Sequence, residues 1–170
     1  MTKWSHVKGM SFFRPMAEVP TIYEWGGGTE AFERWLERFY DLVEEEGTLA
    51  PLFGGTVTRE HRDHVLAWWV EVMGGPADYT ANHGGYPTML AHHRGLAITP
   101  DQRRLFVTLL SQAADEADLP ADPEFRAALI GYAEWGSRLA VHNSAPDADD
   151  IVAEAPVPKW GWGVAPPYEG

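Results

Sequence analysis

Cysteine is absent from this 170-residue chain. Its absence excludes disulfides, thiolate-bound iron, iron–sulfur clusters, cysteine-based zinc sites and thioether attachment of a prosthetic group. Basic residues are scarce: 13 Lys and Arg stand against 25 Asp and Glu, a formal net charge of −12. Such a surface disfavours nucleic acid and anionic membranes, whose recognition calls for a basic patch or stripe. No apolar run approaches the roughly 20 residues needed to cross a bilayer. The first residues lack the basic-then-apolar pattern of a secretory signal. The chain therefore reads as a soluble, cytoplasmic protein of one domain, long enough to bury a real core. Sustained period-2 alternation and internal repeats are also missing, so no sheet is expected.

Aromatic rings are plentiful, with eight Trp, seven Phe and six Tyr. They fit a bulky core or a flat ligand, and do not choose between the two. Residues 1–20 show no sustained period. Gly26-Gly27-Gly28 breaks the chain, and Thr29 is a good helix N-cap. Phe32, Trp35, Leu36, Phe39, Tyr40 and Val43 then recur three and four apart, the spacing of one helix face. His61, His64, Val65, Trp68, Trp69 and Val72 repeat that spacing up to Gly74-Gly75-Pro76, a strong terminator. Residues 76–86 read as a loop, and 87–93 as a short helical piece. Thr99-Pro100-Asp101-Gln102 combines an N-cap, a first-turn proline and a capping-box glutamine. It opens a helix carrying Leu105, Phe106, Leu109, Leu110 and Ala113. Asp122 caps a last helix carrying Phe125, Ala128, Leu129, Tyr132 and Leu139. Residues 145–170 are rich in Pro, Ala, Gly and Asp. They read as a non-helical tail, flexible at first, whose Trp160, Trp162 and Tyr168 end can dock on the domain. The expected class is all-α, with four main helices.

The chemistry lies in the histidines. His61 opens an apolar helix stripe, and His93 closes the run Tyr86-Pro87-Thr88-Met89-Leu90-Ala91-His92-His93. An imidazole on each side of an apolar slot can hold a flat iron cofactor, since haem iron typically takes one proximal histidine. Each residue alone has a plainer explanation. His61 and His64 also fit the solvent end of a buried stripe, and a bare His-x-x-His is weak as a metal site without a third ligand. Adjacent His92 and His93 point in different directions, so at most one of them faces a given ligand, and the pair also fits one surface residue beside a capping or core histidine. Tyr40 on a core stripe is by default a packed ring whose hydroxyl finds a partner.

The order of the marks is more telling. Gly26-Gly27-Gly28, Arg38-Phe39-Tyr40, Leu52-Phe53, Met73-Gly74-Gly75-Pro76 with Tyr79, the Pro87 to His93 segment, Leu96-x-Ile98 and Val141-His142-Asn143-Ser144 occur in sequence. Together they resemble the truncated haemoglobins, specifically the group II branch, over residues 21–144. The resemblance implies a two-over-two helical sandwich around non-covalent haem b. Residues 1–20 are then an irregular N-terminal extension and 145–170 a C-terminal one. His93 falls at the family's proximal iron ligand, Tyr40 at the distal tyrosine and Phe53 at the aromatic that wedges the haem. His61 falls at the distal gate, where it can also ligate iron, and Val65 one turn along over the haem face. His64 and His92 fall where basic side chains meet the propionates. Met89, Leu96 and Ile98 fall in the proximal wall. Phe106 stands where the family has a tryptophan, which removes an indole N–H donor. The loop at 80–86 is one residue longer than usual.

The function implied is binding of dioxygen, NO, CO or a similar diatomic, with slow dioxygen release, and redox chemistry on NO or peroxide as an extension. A reductase and a homodimer are compatible partners. Two other readings are open at this stage. One is a haem peroxidase, with His61 as general base toward peroxide. The other is a non-haem metal protein or plain helical interaction domain, resting on His61-x-x-His64 and the aromatic tail.

Overall fold

A computed structural model of the chain describes residues 18–148 and 154–163. Among these residues the structure is all-helical: α1 (Ile22–Trp25), α2 (Gly28–Glu46), a 3₁₀ turn (Ala50–Phe53), α3 (Arg59–Val72), α4 (Asp78–Asn82), α5 (Gly85–His93), α6 (Pro100–Glu116) and α7 (Pro123–Asn143). Helix α2 packs on both α3 and α6, and α6 packs along α7, which sets one helix pair over another. None of the described helices is long and apolar enough to cross a membrane.

The aromatic stripe of α2 makes the centre of the core. Trp35 is 0% exposed. Its indole N–H donates 2.9 Å to the Leu110 carbonyl of α6, and its ring stands edge-on to Phe32 and to Trp69 of α3, with centroids 5.7 and 4.8 Å away. One side chain of α2 thus meets α3 and α6 at a single point, joining three of the four principal helices. Phe39 meets Phe106 at 5.1 Å, which fixes the other end of the α2–α6 contact.

The helix ends follow the expected caps in most places. Thr99 and Gln102 form the reciprocal capping box of α6. Asp122 caps α7 by accepting from the Phe125 N–H at 2.9 Å, and its second oxygen accepts from the Trp25 indole at 2.9 Å. One carboxylate therefore starts α7 and anchors α1 to it.

Two expectations fail for physical reasons. Thr29 is not the N-cap of α2. Gly27 is, at φ +101°, and α2 begins at Gly28; the left-handed turn brings the helix in early, and the Thr29 hydroxyl is taken up by Tyr23 at 3.0 Å. Gly26 answers a packing need: a Cβ there would meet rings of Phe32 and Phe125 at 2.8 and 3.0 Å. The stretch 76–86 is not all loop either, because α4 forms inside it and α5 starts at Gly85. The buried Glu71 carboxylate of α3 (6% exposed) accepts from the backbone N–H of Thr80 at 2.8 Å and from its hydroxyl. That satisfies donors of the α4 first turn from outside the segment.

Ser144, 0% exposed at the end of α7, ties down the α5–α6 linker. Its carbonyl accepts from the Ala97 N–H at 3.0 Å and its hydroxyl oxygen from the Ile98 N–H at 2.9 Å. Ala97 sits at φ +50°, a conformation that costs a non-glycine residue and is held by these two bonds.

The C-terminal segment does dock. The Trp160 N–H donates 2.8 Å to the Val72 carbonyl at the end of α3. The Trp162 indole donates 2.6 Å to the Pro20 carbonyl, and Val157 is buried. Tyr168, residues 149–153 in the part expected to be flexible, and residues 1–17 of the N-terminal extension lie outside the described residues.

Candidate functional site

A cavity of about 430 Å³ lies between the helix pairs, within the roughly 300–1,000 Å³ of ligand sites. Tyr40, Phe53, His61, His64, Val65, Met89, His92, His93, Leu96, Ile98 and Phe106 all line it. Folding thus brings these eleven candidate site residues to one cavity.

The α2–α3 wall carries the polar pair. The Tyr40 hydroxyl and His61 Nε2 share a 2.9 Å hydrogen bond. Phe53, delivered by the 3₁₀ turn, stands edge-on to both rings at 5.6 and 5.1 Å. Burial pushes the Tyr40 phenol well above its usual range, against the opposing charge of Arg62, so the hydroxyl keeps its proton. Arg62 sits over the ring, 5.5 Å from its centroid, and is held by Glu37 at 2.7 Å and Asp41 at 3.1 Å. His61 is pushed down to about 4, chiefly by burial and further by the neighbouring His64, His92, His93 and Arg62. It is neutral at pH 7.

That shift fixes the sign of a pH effect. Folded His61 resists protonation until about pH 4, whereas an unfolded imidazole takes a proton near 6.5. The unfolded chain binds more protons in that window. The haem-free fold therefore loses stability as the pH falls from about 6.5 toward 4, with no further loss from this group below. Urea midpoints at several pH values should show this acid-side slope, flattened in His61→Gln; a midpoint equally pH-dependent in both proteins contradicts it.

The other imidazole is His93, at the end of α5. Its Nδ1 lies 2.8 Å from the Met89 carbonyl. A carbonyl only accepts, so Nδ1 carries the hydrogen and Nε2 is left with its lone pair. Burial lowers the His93 pKa, with the Met89 bond opposing, which keeps the ring neutral and ligand-competent. His92 is exposed, so the choice of His93 over its neighbour rests on both burial and hydrogen bonding.

His61 and His64 do not converge on a common ion. His61 points to Tyr40, whereas His64 lies against His83, with ring centroids 4.3 Å apart. Among the described residues, no group of three or more His, Asp or Glu side chains can hold a metal. The Phe106 ring meets Phe39 and offers no donor.

Sequence reading missed much of the α7 side. Tyr132, Trp135 and Ser137 line the cavity, as do Trp68, Tyr86, Arg103 and the tail's Pro158. The Trp68 indole donates 2.8 Å to the Tyr132 hydroxyl. Trp68 and Tyr132 stood on recognised apolar stripes, so nothing local separated core from cavity wall. Pro158 carried no signal at all.

The residues fit a flat iron group: a neutral imidazole with one free ring nitrogen, an aromatic and aliphatic enclosure, and a paired phenol and imidazole on the α2–α3 wall. Comparison with known proteins leads to the same place. The bacterial-like globin family model matches residues 21–131. A group 1 truncated haemoglobin from Mycolicibacterium paratuberculosis is 32% identical over 106 residues, covering 62% of this chain and 74% of that protein. One from Nostoc commune is 33% identical over 78 residues, 46% of this chain, and the match spans only 62% of that relative's length. The crystal structure of the group II truncated haemoglobin from Bacillus anthracis superposes with a TM-score of 0.67 at 23% identity, over 80% of this chain and 98% of that one. The sequence relatives are thus group 1 and this structural neighbour group II, the branch expected from the residue pattern; at that identity the superposition speaks to the fold. The chain belongs to the bacterial-like globin family, with the two-over-two fold of the truncated haemoglobins, and so to a family of haem proteins that bind small gaseous ligands.

Proposed function

We propose that residues 21–144 hold haem b without covalent attachment and bind dioxygen and related diatomics, NO and CO among them, at its iron. The observation that carries this reading is the His93 geometry, with Nδ1 committed to the Met89 carbonyl and Nε2 left to bind metal. The absence of cysteine supports haem b over a thioether-linked haem. His61 is a second candidate iron ligand in the ligand-free state. His64 and His92 are assigned to the haem carboxylates, Val65, Phe53 and Phe106 to contact with its faces and edge, and Met89, Leu96 and Ile98 to the His93 side.

Haem, when bound, supplies the metal that takes the diatomic. The chain supplies the rest. Tyr40 keeps its proton because it is buried, and His61 is neutral; with the His61 hydrogen on Nε2, that N–H donates to the Tyr40 oxygen, so the pair offers two hydrogens, uses one between them and leaves the phenol O–H. The second is available to a ligand that gathers negative charge on its outer atom. Hydrogen bonds to charged acceptors are worth about 1.5–3 kcal/mol. The mostly apolar lining of the cavity lowers the local dielectric and strengthens that bond. Redox turnover of NO or peroxide requires an electron donor, and a reductase is the partner class proposed.

The test is optical. Haemin added to the purified protein should produce a Soret band, and the reduced, CO-treated form a shifted one; colourless protein ends the reading. Dioxygen release from loaded Tyr40→Phe should be about 10- to 100-fold faster than from wild type, the kinetic equivalent of that hydrogen bond. An unchanged rate in Tyr40→Phe and in Tyr40→Phe/His61→Leu removes the donor role of the pair.

A further inference from the structure

Trp135 has two faces that few side chains combine. It lines the cavity, and it is 40% exposed to solvent. It is the aromatic ring among the large exposed hydrophobic side chains of the described residues. Its environment is a run of other rings. Trp160 of the docked tail lies 5.7 Å away and Tyr132 6.0 Å, both tilted by less than 40°. Tyr132 meets Trp160 at 5.5 Å and the buried Trp69 at 4.9 Å. Indole and phenol are the side chains most readily oxidised by one electron, and rings in contact exchange electrons rapidly. Tyr132 is poorly placed to store a hole, because its oxygen receives the Trp68 indole N–H rather than facing a base that could take its proton. An indole loses an electron without first losing a proton. Within this cluster the oxidised state therefore settles on the tryptophans, and Trp135 is the most exposed of them.

We propose that Trp135 is a surface relay for electrons, through which phenol-class reductants too large for the cavity reduce hydrogen peroxide consumed inside it. The proposal rests on the haem reading above. Hydrogen peroxide takes two electrons and two protons, its O–O bond breaks and two waters leave. Each electron moves inward from Trp135, leaving an indole radical cation. A phenol at the surface returns one electron, loses its O–H proton to water and departs as a phenoxyl radical. Two phenols are spent per peroxide, and their two protons balance the two taken up. Trp160 braces the Trp135 ring and spreads the hole over a second indole.

The experiment uses the full-length, haem-loaded protein. Peroxide is added with a nitroso spin trap, and the adduct is located by peptide mass mapping. The expected adduct lies on Trp135 and is lost in Trp135→Phe, which keeps an aromatic ring at a half-exposed position. With a phenol carried on dextran, the ratio of its turnover to that of the free phenol should fall about tenfold in Trp135→Phe. Trp135→Tyr, another oxidisable ring, should restore it. An adduct found elsewhere in wild type, or an unchanged ratio in Trp135→Phe, overturns the proposal. Protein that shows no Soret band with haemin fails before peroxide is added and overturns the haem reading instead.

Discussion

Replacing His93 with alanine should abolish stable haem binding while leaving the helices intact. His93 lies at the C-terminal end of α5, half-buried, and its ring's one internal partner is the Met89 carbonyl. Truncation leaves that carbonyl in its helix and removes the ligand. Loss of a metal ligand's hydrogen-bond partner typically costs 10- to 100-fold in affinity, so loss of the ligand itself should exceed about 100-fold. Haemin titration of His93→Ala should give a weak, shifted Soret band with unchanged far-ultraviolet circular dichroism. Free imidazole should restore the wild-type spectrum, because the substitution opens a space of its own shape. His92→Ala is the matching control, since that residue is exposed and its band should stay. A His93→Ala protein with the wild-type spectrum would move the iron to another side chain and dismantle the site.

Trp35→Ala should be the most damaging single change to stability. Trp35 is fully buried, hydrogen-bonded to the α6 backbone, and in edge contact with Phe32 and Trp69. Removing such a ring typically costs about 3–5 kcal/mol. A domain holds only about 5–15 kcal/mol in total, so melting should fall by on the order of 10 °C. Trp35 does not line the cavity, so the loss should appear in haem-free and haem-loaded protein alike. Trp35→Phe, which keeps the ring contacts, should recover most of it. A melt within a degree or two of wild type would mean that α2 and α6 are held together elsewhere.

The helices and the site residues were legible to different degrees. The stripes through Phe32–Val43 and His61–Val72 were plain because a helix buries side chains three and four apart, and that period is written in the order of residues. The caps at Thr99 and Asp122 were legible because a cap is satisfied within one turn of its own chain. Thr29 misled because its hydroxyl is claimed by Tyr23, six residues away and across a glycine turn. Helix α4 was hidden because the carboxylate that satisfies its first turn belongs to Glu71, on another helix. The cavity's α7 wall was hidden for a related reason. Tyr132 and Leu129 share one apolar stripe, yet Tyr132 lines the cavity while Leu129 is packed in the core.

By itself, the order of residues determined an all-helical chain without disulfides, the faces its long helices bury, and a short set of imidazole, phenol and phenyl side chains able to serve an iron cofactor. These are local or additive properties, set by spacing, composition and the chemistry of single side chains. Only the folded chain decided which histidine nitrogen is free, that Tyr40 and His61 share a proton contact, and that a tail beyond the last helix supplies Pro158 and Trp160 beside the cavity. Each of those depends on groups far apart in sequence meeting within hydrogen-bond or ring-contact distance, and no periodicity along one segment encodes such a meeting.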